Sequence, residues 1–245
     1  MIACLLITHF YIKNEFARNP SLKGRPCVVV SEEKNDLVVI DKSSEAANIK
    51  LGMSYQSAIS IYKDLVVLEA DYDMYEDVHH NHMVIMNNIC PKVASDDLGI
   101  IMLDITGLEM LYSGMNNLKK VLISSVDKEF NPRLGISDSS FFSYIGALQC
   151  SPNGCMEILD NFKLMPEIIP DMLPIKQRNK LKLKELGISN LKQLSNWEMS
   201  YLQVQFGIQE GKKIWELSQG IDSNLFRRKL IEPSLKKIID VDEYF

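Results

Sequence analysis

Residues 1–41 read MIACLLITHFYIKNEFARNPSLKGRPCVVVSEEKNDLVVID, and their pattern decides the kind of fold. Residues 2–10 are nearly all apolar and alternate little. That predicts a strand buried on both faces rather than one with a wet side. NPSLKGRP (19–26) breaks the run with Pro and Gly. CVVVS (27–31) and LVVID (37–41) are β-branched runs parted by polar EEKND, which predicts a hairpin.

Working outward, 43–63 predicts one or two helices with Ser43 and Ser44 as N-cap candidates. Residues 71–92 carry helical apolar spacing through Tyr75, Val78, Met83, Val84 and Met86. GIIMLDITG (99–107) predicts a strand ending at a glycine turn, 115–130 a helix, and NPRLGIS (131–137) a turn and strand. SFFSYIGALQC (140–150) predicts a buried helix, and SPNGCMEIL (151–159) a turn into a short strand. Such a mixture over the first 165 residues makes an α/β layer domain. From about Asp171 only helical patterns remain, at 174–186, 191–194, 197–205 and 210–218, with Gly187, Gly207 and Gly220 as stops. The stretch from Arg227 to the end is polar and reads as a linker.

The 245 residues suffice for one large or two modest domains. No apolar run approaches the roughly 20 residues that span a bilayer, and the apolar start lacks the basic flank and cleavage site of a signal peptide. The five cysteines form no CxxC pair, which points to reduced thiols in a cytoplasmic protein. Net charge is −5 overall but uneven: residues 1–171 carry −9 and the remainder +4. An anionic partner would therefore dock on the C-terminal part, unless the imbalance is only solvated surface charge.

Five collinear motifs resemble the Y-family translesion DNA polymerases. These are FYIKNEFARNPSLKGRPCVVV, SSEAANIKLGMSYQSA, MLDITG, LGIS followed by SPNG, and the thumb runs LGISNLKQLSNW and FGIQEGKKIWELSQGID. Within that family DDLGIIMLDITGLEMLYSG is most similar to ImuB-like members, polymerase-like partners in a mutagenesis complex. The resemblance implies an α/β palm over 1–165 with a small fingers subdomain (about 17–75). An all-helical helix–hairpin–helix thumb (166–228) and a linker (229–245) follow. The family's little-finger domain, about a hundred residues after the thumb, has no counterpart, so either it is absent or the chain is a fragment.

Nucleotidyl transfer needs divalent cations held by hard carboxylate oxygens. The resemblance puts the family's four carboxylates at Leu6, Thr8, Gly99 and Ile100, none of which is acidic. Its nucleotide-clamp positions fall on Ser44, Ala47 and Ser151, and its sugar-screening aromatic on Tyr11. The expectation is therefore a protein without enzyme activity, metal or cofactor, acting as a DNA-binding adaptor in damage tolerance. The alternatives are an active or weakly active polymerase with relocated metal ligands, and a protein-interaction module that has left DNA. Asp97 is the residue to test for relocation, although its place two residues before Gly99 sets it roughly 6–7 Å away along a strand.

DNA contact, weak and without sequence preference, is expected through Lys176, Arg178, Lys180, Gly207, Gly211, Lys212 and Lys213. The family's first hairpin turn falls on Pro174-Ile175-Lys176 and is degraded. Protein partners could be another polymerase or repair protein, and QLSNW (193–197) resembles a sliding-clamp peptide, though Leu194 and Trp197 should be core. His79, His80 and His82 with Asp73 and Asp77 read as a solvated helix face rather than a zinc site. His9 should be buried or line a pocket, and Asp104 should be structural.

Overall fold

The computed structural model describes residues 1–33, 36–95 and 97–221. The linker, the last residues of the thumb pattern and Asp96 lie outside them.

The opening strand β1 is Ile2–Leu6, shorter than its apolar run suggests. The chain then turns through His9, held in the left-handed region at φ 53, into helix α1 (Phe10–Arg18). The apolar residues after Leu6 are buried because α1 packs inward, not because the strand continues. Two strands, β2 (Cys27–Glu33) and β3 (Asp36–Lys42), pair antiparallel as the hairpin pattern requires. Helix α2 (Tyr55–Ile61) starts at Ser54, whose hydroxyl accepts from Ser57 N–H, and β4 (Val66–Glu69) returns parallel to β2. The strand order β3-β2-β4 makes a small separate sheet.

Helix α3 (Tyr72–Ile89) leads to β5 (Val93–Ala94), β6 (Ile100–Asp104), α4 (Met115–Ser124), β7 (Arg133–Ser137), α5 (Ser140–Gln149) and β8 (Cys155–Glu157). The main sheet has order β5-β6-β1-β7-β8. Strand β1 lies at its centre, antiparallel to β6 and β7, which explains its burial on both faces. One face is covered by α3 and α4 through Tyr75, Met86, Leu118 and Leu122. On the other, Cys4, Leu6 and Met102 pack against Ala147 of α5. Helix α5 approaches so closely that a Cβ built on Gly135 of β7 would stand 1.9 Å from Ser143 O and 2.3 Å from Ala147 N.

The helical part comprises α6 (Asn161–Leu164), α7 (Gln177–Glu185), α8 (Leu191–Leu194), α9 (Met199–Phe206) and α10 (Ile208–Ser218). Gly187, Gly207 and Gly220 all have positive φ, the backbone role expected of them. Their core includes Leu183, Leu191, Leu194, Leu202, Ile214 and Leu217, with Phe141 and Phe142 from α5. Leu194 is fully buried and Trp197 packs beside it, so QLSNW is part of this core. No helix among the described residues is long and apolar enough to cross a membrane.

Candidate nucleotide and DNA interface

The ends of β1 and β6 bring together Leu6, Gly99 and Ile100, three of the four positions that the resemblance assigns to carboxylates. Leu6 and Ile100 are partners across the two strands, and Ile7 N–H donates to Gly99 O at 2.8 Å. Thr8 follows in the turn. The fold therefore supplies the shelf, but its chemistry is apolar. Leu6 is 5% exposed and clusters with Ile100, Met102 and Tyr144. A hollow of about 50 Å³ is lined by Asp97, Ile100, Met102, Phe141, Tyr144 and Pro174. Burial, then the neighbouring Cys4 and Asp97, pushes the Tyr144 hydroxyl up to about 12.

Position 99 has no room for a side chain. Gly99 has φ +80, and a Cβ there would come within 2.9 Å of both Ile7 O and the Phe10 Cβ. Its N–H donates to His79 Nδ1 at 3.2 Å, which makes Nε2 the protonated nitrogen facing Ser95 Oγ at 2.7 Å. Ser95 Oγ in turn donates to Asp97 O. His79 of α3 thus clasps Ser95 and Gly99. Among the described residues no three His, Cys, Asp or Glu side chains converge as a metal site. The residues at the strand ends do not fit the pair of cations that the family implies.

Gly99→Ala is expected to lower stability by about 3 kcal/mol, from left-handed strain plus a backbone clash. Gly52→Ala, with φ +80 but nothing within 4 Å, should cost only about 1 kcal/mol. Urea midpoints of the two variants would show the difference.

The histidines correct the sequence reading. His79 and His82 are buried, 7% and 8% exposed, and of the three on α3 only His80 faces solvent. Their spacing turns both inward, where they meet the Phe10 ring edge-on, and His82 also meets Phe130. Burial, reinforced by His82 and His80, holds His79 down at about 4. Between that value and the unfolded pKa of about 6.5 the unfolded chain binds more protons, so stability falls as pH drops through this window. The loss should reach on the order of 2–3 kcal/mol by pH 4. Denaturant midpoints at pH 7 and pH 4.5 should diverge less in His79→Gln than in the wild type.

Across α1 lies a cleft of about 350 Å³ lined by His9, Ile12, Phe16, Lys42, Ser43, Ser44 and Ala47. Ser44 and Ala47, which the resemblance assigns to the nucleotide clamp, are exposed there. The buried Asp41 carboxylate accepts from His9 Nδ1 at 2.7 Å, Ile12 N–H at 3.1 Å and Lys42 N–H at 2.8 Å. It thereby joins the small sheet to the start of α1. Tyr11 is half-buried against Tyr72 and Tyr75, and burial, then Tyr72, raises its hydroxyl pKa. Ser151 is exposed in the turn before β8.

Asp104 is tied to Lys92 at 2.8 Å and to the Thr106 hydroxyl at 2.6 Å. Burial opposes its ionisation, but these bonds outweigh it and hold the carboxyl at about 2. Sequence reasoning missed Lys13 and Arg133, two cations toward the opposite end, near Leu6. Lys13 Nζ donates to Phe130 O at 2.8 Å, and Arg133 is the strand partner of Leu6.

In the helical part, Lys176, Arg178, Lys212 and Lys213 are exposed. Lys212 reaches Glu216 at 3.6 Å. Lys180 is half-buried with its Nζ on Asp171 O at 2.8 Å, and Lys182 is engaged by Gln205 O and lies 5.2 Å from the Phe206 ring centroid. Gly207 ends α9 and begins α10, and buried Gly211 lets the two helices touch, since a Cβ there would meet Gln203 Cα and N at 2.5 Å. The exposed start of α10 and the lysines after it form the basic end of this hairpin.

Comparison with known proteins follows this geometry. Residues 177–222 match the family model described as DNA polymerase-iota, thumb domain. DNA polymerase IV of Clostridium kluyveri is 23% identical over 221 residues, covering 87% of this chain and 55% of that protein. DNA polymerase IV of Dehalococcoides mccartyi strain 195 is 26% identical over 205 residues, covering 81% of the chain and 53% of that protein. The chain thus spans about half the length of these curated relatives. In fold it is similar to DinB from Sulfolobus solfataricus, with TM-score 0.74 at 21% identity over 93% of this chain and 70% of that one.

These relatives overturn the expectation that the chain is no enzyme, for the proteins it matches over most of its length are named polymerases. The physical reason is that four unsuitable side chains show where ligands are not; they do not measure activity, and Asp97 still lines the hollow. The impB/mucB/samB family model matches residues 5–147, more than half of the chain, and the chain belongs to this family, the Y-family DNA polymerases.

Proposed function

We propose that this chain works on primer–template DNA in synthesis past damaged template, as a polymerase of the Y family whose cation ligands lie away from the ends of β1 and β6. The observation that carries this reading is the joint match of palm and thumb, 5–147 and 177–222, in one chain. The relatives' name supports polymerase activity better than an adaptor role. Asp97 lines the hollow beside Ile100 and is the first candidate ligand. Duplex phosphates would meet the exposed hairpin cations Lys212 and Lys213, with Lys176 and Arg178 beside α7. The motif around MLDITG resembles that of ImuB-like members, while the relatives found are named DNA polymerase IV.

Primer extension with dNTPs and either Mg²⁺ or Mn²⁺ tests this. Template-directed extension that disappears in Asp97→Ala is the expected result. DNA that is bound but never extended with either cation would overturn the polymerase reading.

A further inference from the structure

The cleft of about 350 Å³ across α1 is lined by His9, whose ring has one nitrogen to spare. His9 leads into α1 in the left-handed region, at φ 53 and ψ 48. Its Nδ1 lies 2.7 Å from Asp41 Oδ1. Asp41 is only 3% exposed, and its carboxylate also accepts from Ile12 N–H and Lys42 N–H. An ionised carboxylate only accepts, so Nδ1 carries the proton and Nε2 is the nitrogen left for a ligand. The ring is half-exposed, and Nε2 has no partner among the described residues. The other polar side chains of this lining are engaged. Lys42 Nζ donates to the carbonyls of Ala46, Ala47 and Ile49, which uses its three hydrogens but leaves its positive charge beside the cleft. Ser43 Oγ donates to Arg25 O and accepts from Cys27 N–H, and Ser44 Oγ donates to Glu45.

An imidazole backed by a buried carboxylate can offer Nε2–H to an anion. The ring then lies between two negative groups, Asp41 inside and the ligand outside, and both favour its charged form. Ile12 and Phe16 line the same cleft, so a ligand with an apolar body beside its anionic group would bury both parts. We infer that His9, oriented by Asp41, is the anion-contacting residue of this cleft and holds a phosphate group of a nucleotide or of a DNA strand through Nε2–H. The inference rests on reading the chain as one that works on primer–template DNA. The resemblance assigns the nucleotide clamp to Ser44 and Ala47, neither of which carries a charge. His9 and Asp41 stand at other positions and supply the charge from the start of α1. Asp41 is a positioning residue here, since it touches the ring and not the ligand.

The test is calorimetric titration of the whole chain at low salt, in EDTA, at a pH below the ordinary histidine pKa of about 6.5. One arm uses dATP and the other a short single-stranded oligonucleotide, so that nucleotide and strand phosphate are told apart. Wild type should bind at least one probe. His9→Asn, which tolerates the left-handed backbone and can still hydrogen-bond Asp41, should weaken that binding about tenfold. Asp41→Asn, which keeps the ring but removes the charge behind it, should weaken it less. Thermal melts should show both variants folded. A histidine that only stapled α1 to the small sheet would not sense the probe, whereas the Nε2 and Cε1 resonances of His9 should shift when it binds. Failure of wild type to bind either probe, undiminished binding by folded His9→Asn, or unmoved His9 resonances on binding would overturn the inference. Probe binding that depends on His9 while primer extension fails with both Mg²⁺ and Mn²⁺ would instead overturn the polymerase reading and leave the His9 site standing.

Discussion

Gly135→Ala should leave the chain unable to fold to its native state, with a loss of about 4 kcal/mol or more against a typical domain stability of about 5–15 kcal/mol. The reason is local. Gly135 lies in the middle of β7, and α5 crosses it with backbone, not side chains, at the contact: Ser143 O and Ala147 N occupy the space of the missing Cβ. A clash at 1.9 Å with a carbonyl cannot be relieved by a rotamer change. The whole helix must lift, and with it Phe141, Phe142 and Ile145, which carry the contact between sheet and thumb core. Overpacking that can relax through side chains costs about 1–3 kcal/mol; one that must move a helix costs more. Circular dichroism and yield of soluble protein would show the effect, and Gly146→Ala, whose Cβ would meet an Ile158 methyl at 3.2 Å and Met156 O at 3.3 Å, is the milder comparison.

Gly211→Ala should disrupt the second thumb hairpin while leaving the palm folded. A Cβ at 211 would press on Gln203 Cα and N and on Leu202 O, all at 2.5 Å, so α9 and α10 must part. The expected cost is about 3 kcal/mol, confined to the helical part. Parting the helices would also tilt the start of α10 and its lysines away from any phosphates they contact. Hydrogen exchange should rise over 199–218 and not over β1, β6 and β7, and affinity for primer–template DNA should fall roughly tenfold or more.

Much of this was legible in the sequence. The β-branched runs around EEKND gave the hairpin, and the central strand showed itself as a run without alternation because it is covered on both faces. Glycine marked the ends of α7, α9 and α10, since only a positive φ lets those helices stop where they do. Other features needed the tertiary structure. VVLE (66–69) is too short and too close to its neighbours to register as β4. The apolar run through residue 10 hid the turn at His9, because burial of α1 looks the same as burial of a strand. His79 and His82 looked solvated in a polar stretch, yet their i, i+3 spacing seats both against Phe10. Lys180 looked like a DNA contact but is spent on the Asp171 carbonyl. Arg133 and Lys13 drew no reading, because nothing in a linear pattern shows that Arg133 pairs with Leu6 or that Lys13 reaches Phe130 O.

Position 99 shows how a vacant site differs from a rebuilt one. In sequence it is only a glycine where the family resemblance implies a carboxylate. In the structure it is a left-handed residue clasped by His79 and roofed by Phe10 and Ile7. Restoring an acidic side chain there would meet backbone atoms before it met a cation.

The measurement closest to the central claim is fluorescence anisotropy of a labelled primer–template duplex titrated with the whole chain from about 25 to 200 mM salt. Binding through the exposed thumb cations predicts an affinity that falls with salt, with a log–log slope of about −2 to −4 that becomes shallower when Lys212 and Lys213 are both changed to Glu. No binding at the lowest salt, or binding indifferent to both salt and these substitutions, would contradict the claim that this chain works on primer–template DNA.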